Sequence, residues 1–371
     1  MMSARFLTVV LERAFNMRDG FGREIDYMRI SVIDSCNLNC YYCNPCDNNE
    51  HCHALNILSV KEVLCIVHAA TRLGIKHFRL TGGEPLLHPQ LDEMVLQIKK
   101  IPGVSSVSLT TNAVLLAQHA KWLKEAGIDS INVSLDTIDA SEYERITKKP
   151  LLEEVKHGIN AAIECGIRVK INVVLTPQTD VVALTRYVAK KGTDIRFIEM
   201  MPVGEGHTNG VEPYKKVIGT LSKLYGEPCR INTEKTKEIN SGNDKRKIPD
   251  NGPAEYYIFP ELGIRVGLIQ AIHGKFCDTC NRIRVTADGR LMPCLGSSVT
   301  MDLVPDSWDF ADDVEKDFAI VRALRAAIKA KPRCHNFNDN AVTYTKTTET
   351  KTTEIEAAEV NAARNMSRIG G

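Results

Sequence analysis

Between about residues 27 and 201, short apolar runs alternate with stretches whose apolar residues recur every three or four positions. The short runs, at residues 27–33, 77–81, 105–110, 130–135, 168–175 and 194–200, predict strands, and the stretches between them predict amphipathic helices. Ser59 with Glu62, and Ser141 with Glu144, fit capping boxes, in which each side chain satisfies an orphan backbone donor. Gly74, Gly127 and Gly166 stand where helices should stop, because glycine accepts the left-handed backbone needed there. Six strand–helix repeats imply a parallel sheet with right-handed crossovers. Six is fewer than the eight of a closed barrel, so the expected fold is α/β, a partial (β/α)6 barrel.

Beyond residue 213 the pattern changes. Residues 233–253 are polar and predict a linker. Strands are expected at 255–259 and 264–268, then a cysteine-bearing hairpin turning at Asp288-Gly289, then a helix near 319–330. The expected organisation is a leader at 1–18, a barrel at 19–212, and a smaller C-terminal domain at 213–342 that closes the barrel. A flexible Thr-, Lys- and Glu-rich insertion at 343–358 and a tail at 359–371 complete it.

Composition narrows the class. Apolar residues make up 43% of the 371, enough for a sizeable core, and no apolar run reaches the length that spans a bilayer. Lys plus Arg (47) nearly cancel Asp plus Glu (46), so no global field favours nucleic acid or a membrane surface. An anionic ligand needs a local basic cluster. A cytoplasmic location is expected, with organelle targeting through residues 1–16 as the lesser alternative. Twelve cysteines in a chain without a secretory signal argue for cluster or metal ligation over disulfides.

The polar motifs gather after the predicted strands: CNLNCYYC after the first, GGEP after the second, TTN closing the third, SLD the fourth and EMMPVGEG the sixth. In a (β/α) barrel those loops converge on one face, where the chemistry lies. Cys36, Cys40 and Cys43 have the spacing C-x3-C-x2-C. Three thiolates can hold three irons of a cubane and leave the fourth open to a small molecule. A four-cysteine zinc or iron–sulfur site including Cys46 is the alternative. His51, Cys52 and His53 read as a solvated loop. Cys277, Cys280 and Cys294 form a second group, C-x2-C-x13-C, for which a zinc knuckle with His273 is the alternative.

The first group, with Tyr42 before its third cysteine and Gly82-Gly83-Glu84-Pro85 after the second strand, resembles the radical S-adenosylmethionine (SAM) superfamily. CDTCNRIRVTADGRLMPCL resembles the C-terminal signature of the GTP 3′,8-cyclase family, whose members begin molybdenum cofactor biosynthesis. The likeness runs from Asp19 to about Asp302 and returns at residues 331–336 and at Ile369-Gly370-Gly371. It implies two [4Fe–4S] clusters, one on Cys36, Cys40 and Cys43 with SAM, the other on Cys277, Cys280 and Cys294 with the guanine of GTP. It carries SAM contacts onto Tyr42, Gly83, Ser134 and Met201. GTP contacts fall on Arg29, Arg79, Thr110, Lys170, Arg282, Ile283 and Arg284, and Gly370 and Gly371 thread into the active site. A low-potential electron donor, a downstream pyranopterin monophosphate synthase and a homodimer are the implied partners.

Two positions depart from the family pattern: Ala113 stands where glycine is usual after TTN, and Gly296 where phenylalanine is usual. A radical SAM peptide maturase with an auxiliary cluster, and a non-catalytic iron–sulfur or zinc protein, are the rival functions.

Overall fold

The computed structural model describes residues 17–43, 56–203, 211–231, 252–297, 299–303, 313–335 and 337. Residues 1–16 of the expected leader, Cys46, His51, Cys52, His53, the insertion, Gly370 and Gly371 lie outside them, as does most of the linker. Six parallel strands pair in chain order: β1 (Tyr27–Ser31), β2 (His77–Thr81), β3 (Ser106–Thr111), β4 (Ser130–Ser134), β5 (Val169–Val174) and β6 (Asp194–Ile198). Between them run α1 (Val60–Arg72), α2 (Leu91–Lys100), α3 (Leu116–Glu125), α4 (Ala140–Thr147), α5 (Leu152–Glu164) and α6 (Val181–Lys190).

Alternation along each strand divides two environments. Met28, Ile30, Phe78, Leu80, Ile195 and Phe197 have no solvent exposure and belong to the core shared with the helices. The residues between them, among them Arg29, Arg79, Lys170 and Arg196, line a cavity on the other face. A closed (β/α)8 barrel fills its interior with branched apolar side chains. Here that face is polar, so the lumen is a chamber.

The capping box at Ser59 and Glu62 forms with both halves present. The second does not. Asp139 caps α4, accepting from the Glu142 N–H at 2.8 Å. An aspartate two residues upstream starts the helix earlier and leaves Ser141 and Glu144 inside it. Gly74, Gly127 and Gly166 take φ of 85°, 88° and 68° as expected.

The C-terminal part, past α7 (Gly219–Tyr225), extends the barrel sheet. β7 (Cys229–Ile231), β8 (Glu255–Ile258), β9 (Arg265–Ile269), β10 (Arg282–Val285), β11 (Arg290–Met292) and β12 (Met301–Asp302) join it at both edges, in the order β12-β11-β10-β1-β2-β3-β4-β5-β6-β9-β8-β7. β10 pairs parallel to β1, and β9 parallel to β6. The β10–β11 hairpin turns through Gly289 at φ 77°. The last described helix, α8 (Asp313–Lys329), starts earlier than its apolar spacing suggested and packs on α1. Among the described residues no helix is long and apolar enough to cross a membrane.

Candidate functional site

The first cysteine group follows β1 on a loop docked against the end of α4, where Asn39 N–H donates to Thr147 O and Tyr41 N–H to Ile146 O. The Cys36 sulfur accepts from Leu38 N–H at 3.4 Å and from Asn112 Nδ2 at 3.8 Å. Tyr42 Oη donates to Asp136 Oδ2 at 2.5 Å, and Asp136 Oδ1 accepts Val174 N–H at 2.8 Å. The GGEP loop presses on the segment leading to Cys36: a Cβ on Gly82 would stand 2.3 Å from Ile33 O, and one on Gly83 2.2 Å from Ser35 O. Only glycine permits that approach. Buried Glu84 then ties the GGEP loop to the loop after β3, accepting from Thr111 Oγ1 (2.7 Å), Asn112 N–H (2.7 Å) and Leu86 N–H (3.0 Å), while its own N–H donates to Ser35 O (2.8 Å) in the cysteine loop.

Burial pushes the Cys36 thiol up to about 12 and the Cys43 thiol up to about 11, and holds Cys40 well above its usual value, with neighbouring thiols and carboxylates adding repulsion. Three such thiols ionise together only when an iron core replaces their protons. The donor set fits a cluster.

The second group sits at the opposite end of the same strand pair, since Cys36 follows β1 whereas Cys280 precedes its parallel neighbour β10. Cys277 opens a one-turn helix, Cys280 N–H donates to Cys277 O, and Cys294 follows β11. His273, the fourth ligand of the zinc-knuckle alternative, does not line the cavity that holds Cys277, Cys280 and Cys294; its Nδ1 meets Glu199 Oε1, and the backbone N–H groups of Ile272 and His273 bond Glu199 Oε2. Among the described residues no three His, Cys, Asp or Glu side chains converge on an ion-sized site.

All six cysteines line one cavity of about 370 Å³. The expected SAM residues Tyr42, Gly83, Ser134 and Met201 line it too, as do Arg29, Arg79, Thr110 and Lys170, with Arg282 and Arg284 from β10. Ile283 does not: strand alternation turns its side chain into the core at 1% exposure. A second cavity, at the amino ends of the strands, shares Ser106, Asp129 and Arg168 with the first but holds none of the cysteines.

Among the described residues, eight Lys or Arg side chains line the first cavity against two Asp, which suits a polyanion. Register places Arg29 beside both Arg79 and Arg284. Burial, then repulsion from Arg284, holds the Arg29 guanidinium well below its usual range, and burial with Arg282 nearby brings Arg284 down to about 10. Tyr27 reports the same field. Burial raises its phenol, but the charges of Arg79 and Arg29 outweigh that and bring it down to about 8. Arg79 Nε donates to Tyr27 Oη, and the Arg282 guanidinium lies 5.9 Å from the Tyr27 ring centre.

Sequence reasoning missed Tyr27, Asp136, Arg168, Arg196 and Lys331 as cavity residues. Arg196 is 5% exposed and donates to Asn172 Oδ1 at 2.9 Å, while its Nη2 has no partner among the described residues. An arginine inside the apolar run DIRFI was the available signal, because such a charge is seldom buried without work for it.

The radical SAM superfamily model matches residues 30–183, and the molybdenum cofactor synthesis C model matches 193–337. A GTP 3′,8-cyclase of Clostridium perfringens (strain SM101 / Type A) is 35% identical over 324 residues, covering 86% of this chain and 95% of that one. One from Peptoclostridium acidaminophilum is 37% identical over 328 residues, covering 86% and 94%. The chain belongs to the GTP 3′,8-cyclase family. Membership brings SAM and an iron–sulfur cluster to the barrel. Among solved structures, Streptococcus suis SuiB aligns with a TM-score of 0.54 at 15% identity, covering 81% of this chain and 68% of that one. SuiB bound to precursor peptide SuiA aligns with 0.52 at 16%, covering 81% and 67%. At that identity the likeness is one of fold.

The two departures from the cyclase pattern now have structural accounts. Ala113 is buried at φ 65°, a left-handed conformation that explains the family's glycine. A Cβ on Gly296 would stand 2.6 Å from His335 Cβ and 2.9 Å from the Phe337 ring, so the packing of His335 and Phe337 leaves no room for a side chain there.

Proposed function

We propose that this chain is a GTP 3′,8-cyclase that converts GTP to 3′,8-cyclo-7,8-dihydro-GTP, opening molybdenum cofactor biosynthesis. The observation that supports it is one cavity with a three-cysteine group toward each end and a basic collar between them. Cys36, Cys40 and Cys43 would hold a [4Fe–4S] cluster with one iron open to SAM. Cys277, Cys280 and Cys294 would hold another with one iron open to guanine. A cluster held by Cys36, Cys40 and Cys43, together with SAM, would supply a 5′-deoxyadenosyl radical for removal of the ribose 3′ hydrogen, and one further electron and a proton would complete the C3′–C8 bond of the dihydro product.

The chain's own contribution is placement. Arg29, Arg79, Lys170, Arg282 and Arg284 take the triphosphate, using guanidinium forks that match phosphate oxygens. Tyr42, Gly83, Ser134 and Met201 border the SAM end. Gly370 and Gly371 enter as a side-chain-free plug. An external low-potential donor supplies electrons, a pyranopterin monophosphate synthase takes the product, and the working form is a homodimer. A peptide substrate would give the collar no purpose, which disfavours a maturase. An anaerobic assay with SAM, dithionite and GTP tests the assignment: 5′-deoxyadenosine and a cyclised guanosine product should appear together. Deoxyadenosine without that product would refute it.

A further inference from the structure

Lys331 is 3% exposed, and lysine is seldom buried so deeply without a partner. Its Nζ donates to Arg282 O and to Pro293 O, each at 2.8 Å. Those carbonyls lie two residues past Cys280 and one residue before Cys294. The Cys280 thiol is the third group the ammonium reaches. Among the described residues no carboxylate pairs with it. A buried ammonium needs an anion, and sulfur is what this one faces.

The residues just after Lys331 reach the remaining cysteine. Arg23, bonded through Nε to Asp19 at 2.5 Å, gives Nη1 to Cys277 O (2.7 Å) and Arg333 O (2.9 Å), and Nη2 to Pro332 O (2.6 Å). His335 N–H donates to the Cys277 sulfur, and its ring Nε2 bonds Ala271 O at 2.7 Å. Residues 331–335 therefore touch all three cysteine-bearing segments, and Lys331 and His335 line the cavity.

We infer that Lys331 is a positioning residue for the second cluster: its ammonium fixes the segments that carry Cys280 and Cys294 and provides the fixed counter-charge for the cluster they bind. The inference rests on the second-cluster assignment above. A fixed cation in a low-dielectric site favours the more negative, reduced state of a neighbouring cluster, so it raises the reduction potential.

The test uses the full-length chain with Cys36, Cys40 and Cys43 changed to alanine, so that only the second cluster contributes. This parent is compared with its Lys331→Met and Lys331→Arg derivatives after anaerobic reconstitution, by iron and sulfide content and by a redox titration followed by electron paramagnetic resonance. The parent should carry about four irons per chain. Lys331→Met should lose at least half of that iron, or keep it with the midpoint shifted to more negative potential, while Lys331→Arg keeps the parent's iron and midpoint. Lys331→Met with unchanged iron and midpoint would overturn the inference. Equal loss in both variants would overturn it as well, by assigning the lysine to packing alone. A parent without iron would refute the second-cluster assignment itself and the inference with it.

Discussion

Tyr27 shows how single residues serve this site. Its hydroxyl accepts Arg79 Nε–H, so its own proton is directed elsewhere in a cavity built for phosphate. Tyr27→Phe keeps the ring under Arg79 and Arg282 and deletes only the hydroxyl. Losing one hydrogen bond to a charged group costs about 1.5–3 kcal/mol, so GTP affinity should fall about tenfold or more while guanosine affinity holds. The phenolate absorbance should lose a step near pH 8, the value to which the arginines lower this group. An unchanged affinity for GTP by calorimetry would remove the role. For Arg282→Ala and Arg284→Ala, equilibrium binding should show GTP affinity lower by at least tenfold with SAM affinity unchanged, as expected for charge-assisted bonds to phosphate. Parallel loss of both ligands would mean the collar is misassigned. The residues named from sequence were those inside strings such as CDTCNRIR. Tyr27 stayed hidden because its meaning lies in cross-strand neighbours, which register creates and no linear motif records, whereas Arg196 was marked only by its place inside an apolar run.

At the scale of elements, the loops above the strands are held both by each other, through Glu84, and by the helices beside them. Gly158 in α5 lies against the loop after β3: a Cβ there would stand 2.3 Å from Ala113 O and 3.0 Å from Leu116 Cβ. Gly158→Ala should lower stability by about 1–3 kcal/mol through overpacking, measured by urea unfolding, whereas Ala113→Gly should be neutral or stabilising because it relieves the left-handed alanine. Glu84 gives the same loops a pH dependence. Burial raises its carboxyl from 4.5 to about 7, so between those values the folded chain keeps a proton the unfolded chain has released. Stability therefore falls as pH rises through that window, and Asp136, raised from 3.8 to about 6, adds the same sign lower down. The cluster-free chain should melt lower at pH 7.5 than at pH 5, and Glu84→Gln should flatten that slope. A melting temperature that climbs from pH 5 to 7.5 would contradict the carboxyl assignment. Strand positions were legible because buried parallel strands are short apolar runs bounded by turns. The α4 cap was not, because two polar residues competed for one helix start and Asp139 lies first.

At the scale of the molecule, sequence separated a barrel from a smaller C-terminal part, but it could not show where that part joins. Strands more than 60 residues apart pair only through tertiary register, which periodicity does not encode: β9 closes the edge at β6, and β10 the edge at β1. The consequence is that the six-strand sheet has no free edge of its own. Residues 17–203 expressed alone would expose the backbone groups of β1 and β6 along two parallel edges, and open edges recruit other chains. The fragment would also lack the partners that hold β1 in place, since Tyr27 N–H donates to Asn281 O and Arg23 reaches Cys277 O. It would lose Arg282, Arg284 and Lys331 from the chamber wall at the same time. We therefore expect the fragment to aggregate or to melt without a cooperative transition, and the full chain to unfold in one step, by calorimetry and light scattering. A monomeric fragment with a sharp transition would mean that the barrel folds alone and that its edges are protected by something other than the C-terminal strands.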